Sequence, residues 1–99
     1  MKQQLHEFAG MPGVKKKLKG PLVSSVTAFL REIDKHRIVS GAGSYGALNL
    51  YRDDKGVLRG ERHVRHFTGA SAEFKSKAAA KRWLAEQWPL CISADLPPA

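Results

Sequence analysis

Residues 45–68 read YGALNLYRDDKGVLRGERHVRHFT, and this stretch decides the fold. Apolar residues alternate on both sides of the turn Asp53-Asp54-Lys55-Gly56, so the stretch predicts an antiparallel hairpin of residues 45–52 and 57–68. A three-residue loop at 54–56 pairs Asp53 with Val57 and fixes the register, because a slip of one residue moves every side chain to the other face. In this register one face is apolar and carries Leu48, Leu50, Leu58 and Val64.

The opposite face of the predicted hairpin is polar, basic and aromatic. It carries Tyr45, Asn49, Tyr51, Arg59, Glu61, His63, Arg65 and Phe67. Arginine and asparagine bond base edges in the DNA major groove, and aromatic rings stack on unpaired bases. Because helices are expected to cover only the apolar face, we expect this second face to be open to solvent and to bind nucleic acid.

Helical periodicity flanks the hairpin on both sides. The apolar spacing predicts an amphipathic helix over 21–36 and a second helix over 77–88, which begins after the N-cap Ser76 and ends before Pro89. Gly69-Ala70-Ser71 is expected to break the second strand, and a short third strand is expected at 72–74. The predicted class is therefore α+β, with an N-terminal amphipathic helix, a two- to three-stranded antiparallel sheet and a C-terminal helix packed on one sheet face.

The chain has 99 residues, enough for one small domain. We expect residues 1–20 to form a basic arm or linker, 21–92 the single α+β domain and 93–99 a mobile tail. Lys and Arg number 17 against 9 Asp and Glu, and the formal net charge of +8 is typical of proteins that bind polyanions. One cysteine excludes an internal disulfide, and no apolar secretory or membrane-spanning stretch is visible, so we expect a cytoplasmic protein.

Basic residues concentrate in the hairpin, in the last helix and in the lysine run of the arm. Cations at the start of the last helix are disfavoured by the helix macrodipole, so a bound anion there would stabilise the helix. The candidate nucleic-acid-binding residues are Tyr45, Asn49, Tyr51, Arg52, Arg59, Arg62, His63, Arg65, Lys75, Lys77, Lys81, Arg82, Lys15, Lys16, Lys17 and Lys19.

Other motifs lack the context that their chemistry needs. Residues 41–46 match G-x-G-x-x-G, but a dinucleotide site needs a strand before the motif and a helix after it. Here the glycine-rich residues 40–46 are expected to begin as a loop that leads into a strand. His63 and His66 point to opposite faces of a strand, and Cys91 has no identifiable base beside it. We therefore expect no enzyme, no metal site and no cofactor.

The run from Tyr45 to Leu84 resembles the arm-type, AP2-like DNA-binding domains of tyrosine recombinases. The likeness lies in GALNLYR (46–52), DDKG (53–56), LRGER (58–62) and FKSK (74–77), followed by Ala80 and Trp83. It covers about 40 of the 99 residues and is shared with other small phage and plasmid proteins, including anti-CRISPR proteins. The resemblance implies that the sheet face opposite the helix enters the DNA major groove, with contacts from Asn49, Tyr51, Arg59, His63 and Arg65.

Two functional hypotheses follow. The first is a non-enzymatic nucleic-acid-binding protein, with DNA as the first candidate and RNA as the second, acting as an accessory or regulatory factor of a mobile element. The second is a small inhibitor or adaptor, similar to anti-CRISPR proteins, that docks on a host ribonucleoprotein or protein complex. A weaker resemblance to double-stranded-RNA-binding domains lies in SKAAAK at 76–81. We expect a monomer or homodimer and no membrane partner.

Overall fold

The computed structural model describes residues 13–16, 18–43, 46–64 and 67–91, with the backbone alone at positions 64, 67, 68 and 91. Its elements are α1 (Val26–Glu32), β1 (Ile38–Gly43), β2 (Gly46–Arg52), β3 (Leu58–Val64), β4 (Phe67–Phe74) and α2 (Lys77–Cys91). The strands form one antiparallel sheet in the order β1-β2-β3-β4. The predicted α+β class is confirmed.

The register of the β2–β3 hairpin is the one that the sequence predicts. The Asp53 N–H donates to the Val57 carbonyl at 2.9 Å, so these two residues close the loop. Gly56 has φ of +85°, a left-handed conformation that glycine adopts without strain. As predicted, Leu48 and Leu50 face the helices and are fully buried.

Both helices pack on the apolar face of the sheet. The predicted N-cap of α2 is confirmed, because Ser76 Oγ accepts a hydrogen bond from the Ala79 N–H at 3.1 Å. Phe29 of α1 and Trp88 of α2 meet edge to face, with ring centroids 6.4 Å apart. The core consists of Val26, Phe29, Ile33, Val39, Leu48, Leu50, Leu58, Phe74, Ala80, Leu84 and Trp88.

The sheet has more strands than predicted. Most of the stretch 40–46, expected to begin as a loop because of its glycines, belongs to β1 and the start of β2. Gly41 instead serves close packing, since a Cβ there would lie 3.1 Å from the Phe29 ring. The glycines therefore mark where a helix approaches the sheet, which composition alone does not distinguish from a loop.

The predicted long strand 57–68 is in fact two strands. β3 ends at Val64 and pairs antiparallel with β4, which begins at Phe67. No Gly, Pro, Asn or Asp at 65–66 signals the reversal in the sequence. The break expected at 69–71 lies inside β4. Gly69 leaves room there for the Arg62 guanidinium, which would be 3.1 Å from a Cβ placed on Gly69.

The helix boundaries also differ from the prediction. α1 is shorter than 21–36 because the chain before it extends the sheet: Ser40 N–H donates to the Pro21 carbonyl at 3.0 Å, and Val23 N–H donates to Ser40 at 2.8 Å. α2 continues past Pro89 to Cys91. A proline in the last turn removes only one backbone hydrogen bond, which is why the helix is not stopped there.

Residues 13–16 and 18–20, which we call the strap, lie against the sheet face away from the helices. Val14 and Leu18 pack on Ile38 and Tyr51, and Leu18 is buried. Gly20 passes so close that a Cβ would collide with the Ile38 carbonyl oxygen. This part of the predicted arm is docked on the domain, because Val14 and Leu18, on either side of three lysines, pack against the sheet. Residues 1–12 and 17 of the predicted arm, and the predicted tail 93–99, lie outside the described residues.

Candidate nucleic-acid interface

Of the side chains predicted for the polar face, the structure describes Asn49, Tyr51, Arg59, Glu61 and His63, and all of these except Arg59 are buried. Asn49 and Tyr51 are 0 % exposed and His63 is 2 % exposed. The strap covers the end of this face at Tyr51. The prediction that the face is open to solvent is therefore wrong. In this conformation Asn49, Tyr51 and His63 cannot reach a nucleic acid, so they cannot make the base contacts that the resemblance implied.

The buried side chains satisfy most of their polar atoms with one another. Ser40 Oγ donates to Asn49 Oδ1 at 2.6 Å, and the Tyr51 hydroxyl donates to Glu61 Oε2 at 3.4 Å. The Nε2 atom of His63 lies 3.0 Å from Glu61 Oε1. The Asn49 amide nitrogen is buried without a hydrogen-bond partner. Burial and the nearby Glu61 carboxylate raise the pKa of Tyr51, so its phenol stays protonated as a donor.

Ser40 and Glu61 belong to this cluster, although neither is among the residues predicted to bind nucleic acid. The i, i+2 spacing of Glu61 and His63 places both on one strand face, and that signal was present in the sequence. Glu61 and His63 are both buried, each 2 % exposed. We therefore assign the hydrogen bonds of the cluster a role in fixing the polar face.

Arg59 is also committed to internal contacts. Its Nε donates to Asp53 Oδ2 at 2.9 Å, and its Nη2 lies 3.5 Å from Glu73 Oε2. The Arg59 guanidinium and the backbone N–H groups of Lys55 and Val57 hold the pKa of Asp53 below its usual range. The prediction that Arg59 is free to contact DNA is not supported, because Asp53 and Glu73 already neutralise its charge.

Several basic residues lie at the end of the sheet that holds the Asp53–Gly56 turn. Asp54 holds two segments together there, since the backbone N–H of Lys15 donates to its Oδ2 at 3.1 Å and Arg37 Nη2 donates to its Oδ1 at 3.2 Å. Arg37 also donates to the Arg52 carbonyl at 2.9 Å. We call this surface the basic end, and it consists of Lys15, Arg37, Arg52, Lys55, Lys75 and Lys77.

The carboxylates of the basic end are all paired. Asp34 accepts from Lys77 Nζ at 2.8 Å, which lowers the pKa of Asp34, while Asp53 holds Arg59 and Asp54 holds Arg37. Among the residues that the structure describes, the side chains of Lys15, Lys55 and Lys75 have no acidic partner at this end. Arg52 makes no direct ion pair, although its charge also lowers the pKa of Asp34. Positive charge is therefore in excess here.

Two open pockets flank the turn. One, of about 270 Å³, has Arg52, Lys75 and Lys77 at its rim and Leu58 and Phe74 at its base. The other, of about 480 Å³, lies between the strap and the turn, where the carboxylates of Asp53 and Asp54 accompany the basic residues Lys15, Lys55 and Arg59. The first pocket is the more strongly basic of the two.

The remaining predicted binding residues are spread over other parts of the chain. Lys16 and Lys19 are exposed on the strap, and Lys81 and Arg82 on α2. Arg62 is half-buried and donates to the Gly69 carbonyl at 3.3 Å, so it serves the β3–β4 pair. Tyr45, Lys17 and Arg65 lie outside the described residues.

Two searches of the described residues are negative. Within 13–16, 18–43, 46–64 and 67–91, no group of three or more His, Cys, Asp or Glu side chains is placed to hold a metal ion. No helix in this described part of the chain has the length and apolar character needed to cross a membrane. Comparison with protein-family models, curated proteins and solved structures gives no match, so the resemblance to arm-type domains stays a prediction.

Proposed function

We propose that this protein binds nucleic acid through the phosphate backbone, using the basic end rather than the face of the sheet. The observation that supports it is the group of Lys15, Arg52, Lys55 and Lys75, four cations around one turn whose side chains make no direct ion pair with a described carboxylate. A nucleic-acid backbone offers closely spaced phosphates to such a surface. Backbone contacts position a protein on the strand without reading its sequence.

The expected ligand is duplex DNA, with RNA as the alternative nucleic acid. Base readout by Asn49, Tyr51 and His63 is left out of the proposal because these side chains are buried. With about four phosphate contacts, the logarithm of the affinity should fall with the logarithm of salt concentration at a slope of roughly −3 to −4. The protein acts as a non-enzymatic accessory or regulatory factor in this proposal.

The test is fluorescence anisotropy with labelled duplex DNA, single-stranded DNA and RNA at several salt concentrations. The double charge reversal Lys55→Glu with Lys75→Glu should weaken binding on the order of tenfold or more, since it removes two charge-assisted contacts. The matched control is Lys81→Glu with Arg82→Glu, which changes the net charge equally but on α2, outside the basic end. The affinity of the control variant should fall only a few-fold, because its net charge is lower.

Equal losses in both variants would show that net charge, and not the basic end, governs binding. Absence of binding at low salt, from folded wild-type protein, would contradict the proposal. The second hypothesis, a small inhibitor or adaptor docking on a ribonucleoprotein or protein complex, would then be pursued by capture of the partner.

A further inference from the structure

The smaller pocket at the basic end has a charged rim and an apolar floor. Arg52 comes from the end of β2, whereas Lys75 and Lys77 come from the link between β4 and α2. Leu58 and Phe74 form the floor and are themselves buried against the core. No carboxylate among the described residues lines this pocket. Cations from two separate parts of the chain therefore converge on one concave site.

The size of the pocket limits what can enter it. Its volume of about 270 Å³ is close to the lower end of the range for small-molecule sites, roughly 300–1,000 Å³. Gly56 lies at its edge, and a Cβ placed on Gly56 would have no other heavy atom within 4 Å. The pocket can thus take one nucleotide-sized group from solvent, whereas the internal phosphates of a duplex lie on a convex surface and remain outside.

The charge of the pocket favours a terminal phosphate over an internal one. A phosphate monoester carries about −1.5 to −2 at neutral pH, whereas each internal phosphodiester carries about one negative charge. Lys77 is paired with Asp34 at 2.8 Å, and Arg52 acts on the same carboxylate through its charge. Neither Arg52 nor Lys75 makes a direct ion pair with a described carboxylate, so both can contact a phosphate. The planar guanidinium of Arg52 can bind two phosphate oxygens at once, and the ammonium of Lys75 adds a third contact.

We propose that this pocket binds the terminal phosphate of a nucleic-acid strand, with the sugar of the last nucleotide over the floor of Leu58 and Phe74. The inference rests on the proposed function and sharpens it, because it makes strand ends the preferred sites of binding. The rest of the basic end then contacts the phosphates that follow along the strand.

The experiment compares three single-stranded oligonucleotides of one sequence, bearing a 5′-phosphate, a 3′-phosphate or hydroxyls at both ends. A fluorophore on an internal base reports binding by anisotropy. At least one phosphorylated strand should bind about tenfold more tightly than the hydroxyl strand, the gain expected for one added charge-assisted contact. Arg52→Ala and Lys75→Ala should each abolish this preference. Arg82→Ala, an arginine removed from the exposed surface of α2, should retain it, and circular dichroism checks that all variants fold.

Equal affinity for all three strands would overturn the pocket assignment and leave the proposed function intact. Failure of every strand and of duplex DNA to bind at low salt would overturn both. Competition separates the possible sources of a phosphate monoester. A nucleoside monophosphate should displace the phosphorylated strand at lower concentration than phosphoserine or inorganic phosphate does. Equal potency of the three competitors would overturn the assignment to a nucleotide end.

Discussion

On one face of the sheet, Leu48 and Leu50 pack against two helices, and on the other, Asn49 and Glu61 are buried just as deeply but bond to polar neighbours. The apolar face is stabilised by burial of hydrocarbon, which is tolerant of small shifts in geometry. The polar face depends on hydrogen bonds. Each bond matters separately, because a buried polar group that loses its partner has no water to bond to instead. The two faces should therefore respond to different kinds of substitution.

The largest expected effect is on the apolar face. Leu50→Ala should reduce the free energy of unfolding by about 2–5 kcal/mol, because it removes buried methyl groups and leaves a cavity. Urea denaturation followed by tryptophan fluorescence measures the change. Leu22→Ala is the matched control, since Leu22 is 54 % exposed and should change the stability by less than about 0.5 kcal/mol. Similar losses in the two variants would contradict the assignment of the core.

The polar face should be sensitive to loss of its central carboxylate. Glu61→Ala removes the acceptor of the Tyr51 hydroxyl and the partner of His63, and should cost about 3 kcal/mol of unfolding free energy. Glu61→Gln should cost less, because the amide oxygen still accepts from Tyr51. Denaturation of both variants in urea tests the ranking. If the Glu61→Ala variant were as stable as the Glu61→Gln variant, hydrogen bonding to Glu61 would not be what stabilises this face.

A smaller effect is expected where α2 approaches the sheet. A Cβ at Gly60 would lie 2.7 Å from the Trp83 ring and 3.0 Å from the Phe74 ring. Gly60→Ala should therefore cost about 1–3 kcal/mol through overpacking. Thermal unfolding measures this, and Gly60→Ala with Trp83→Phe should recover part of the loss because the smaller ring withdraws from the added methyl. Failure of the second substitution to help would show that the strain lies elsewhere.

The smallest effect should depend on pH. The lowered pKa of Asp53 means that its ionised form stabilises the folded protein above the unfolded value of 3.8, and that this stability is lost as the pH falls through the folded pKa. Asp53→Asn should thus be less stable than wild type at pH 7. In thermal unfolding experiments the two should converge as the pH falls through the folded pKa of Asp53, which lies below 3.8. A gap that stays constant with pH would mean that the charge of Asp53 contributes nothing.

Much of the fold follows from local patterns in the sequence. The turn at 53–56 and the alternation around it correctly predict which residues share a sheet face, and Ser76 correctly predicts where α2 begins. The strand boundaries are less predictable. Glycines at 41 and 69 suggest loops, yet each makes room for a side chain of another element, Phe29 of α1 or Arg62 of β3. Composition cannot reveal a tertiary contact of that kind.

The candidate site was predictable only in part. Arg52, Lys75 and Lys77 are identified from charge, and the structure brings them to one pocket. The burial of Asn49, Tyr51 and His63 was not predictable, because alternation shows which side chains share a face but not what covers it. The apolar residues Val14 and Leu18, spaced among lysines, were the signal that the arm packs on the sheet. The four lysines among residues 15–19 instead predict a basic arm or linker.

The position of the strap ahead of β1 and β2 in the chain has a consequence for the order of folding. Each strand pairs with its neighbour in the sequence, so the sheet can grow by successive hairpins with short loop closures, a topology that favours rapid folding. Leu18 is synthesised well before Tyr51, however, and it has no surface to cover until β1 and β2 have paired. The strap should therefore dock late in folding. It should also be able to detach while the helices and the sheet stay folded.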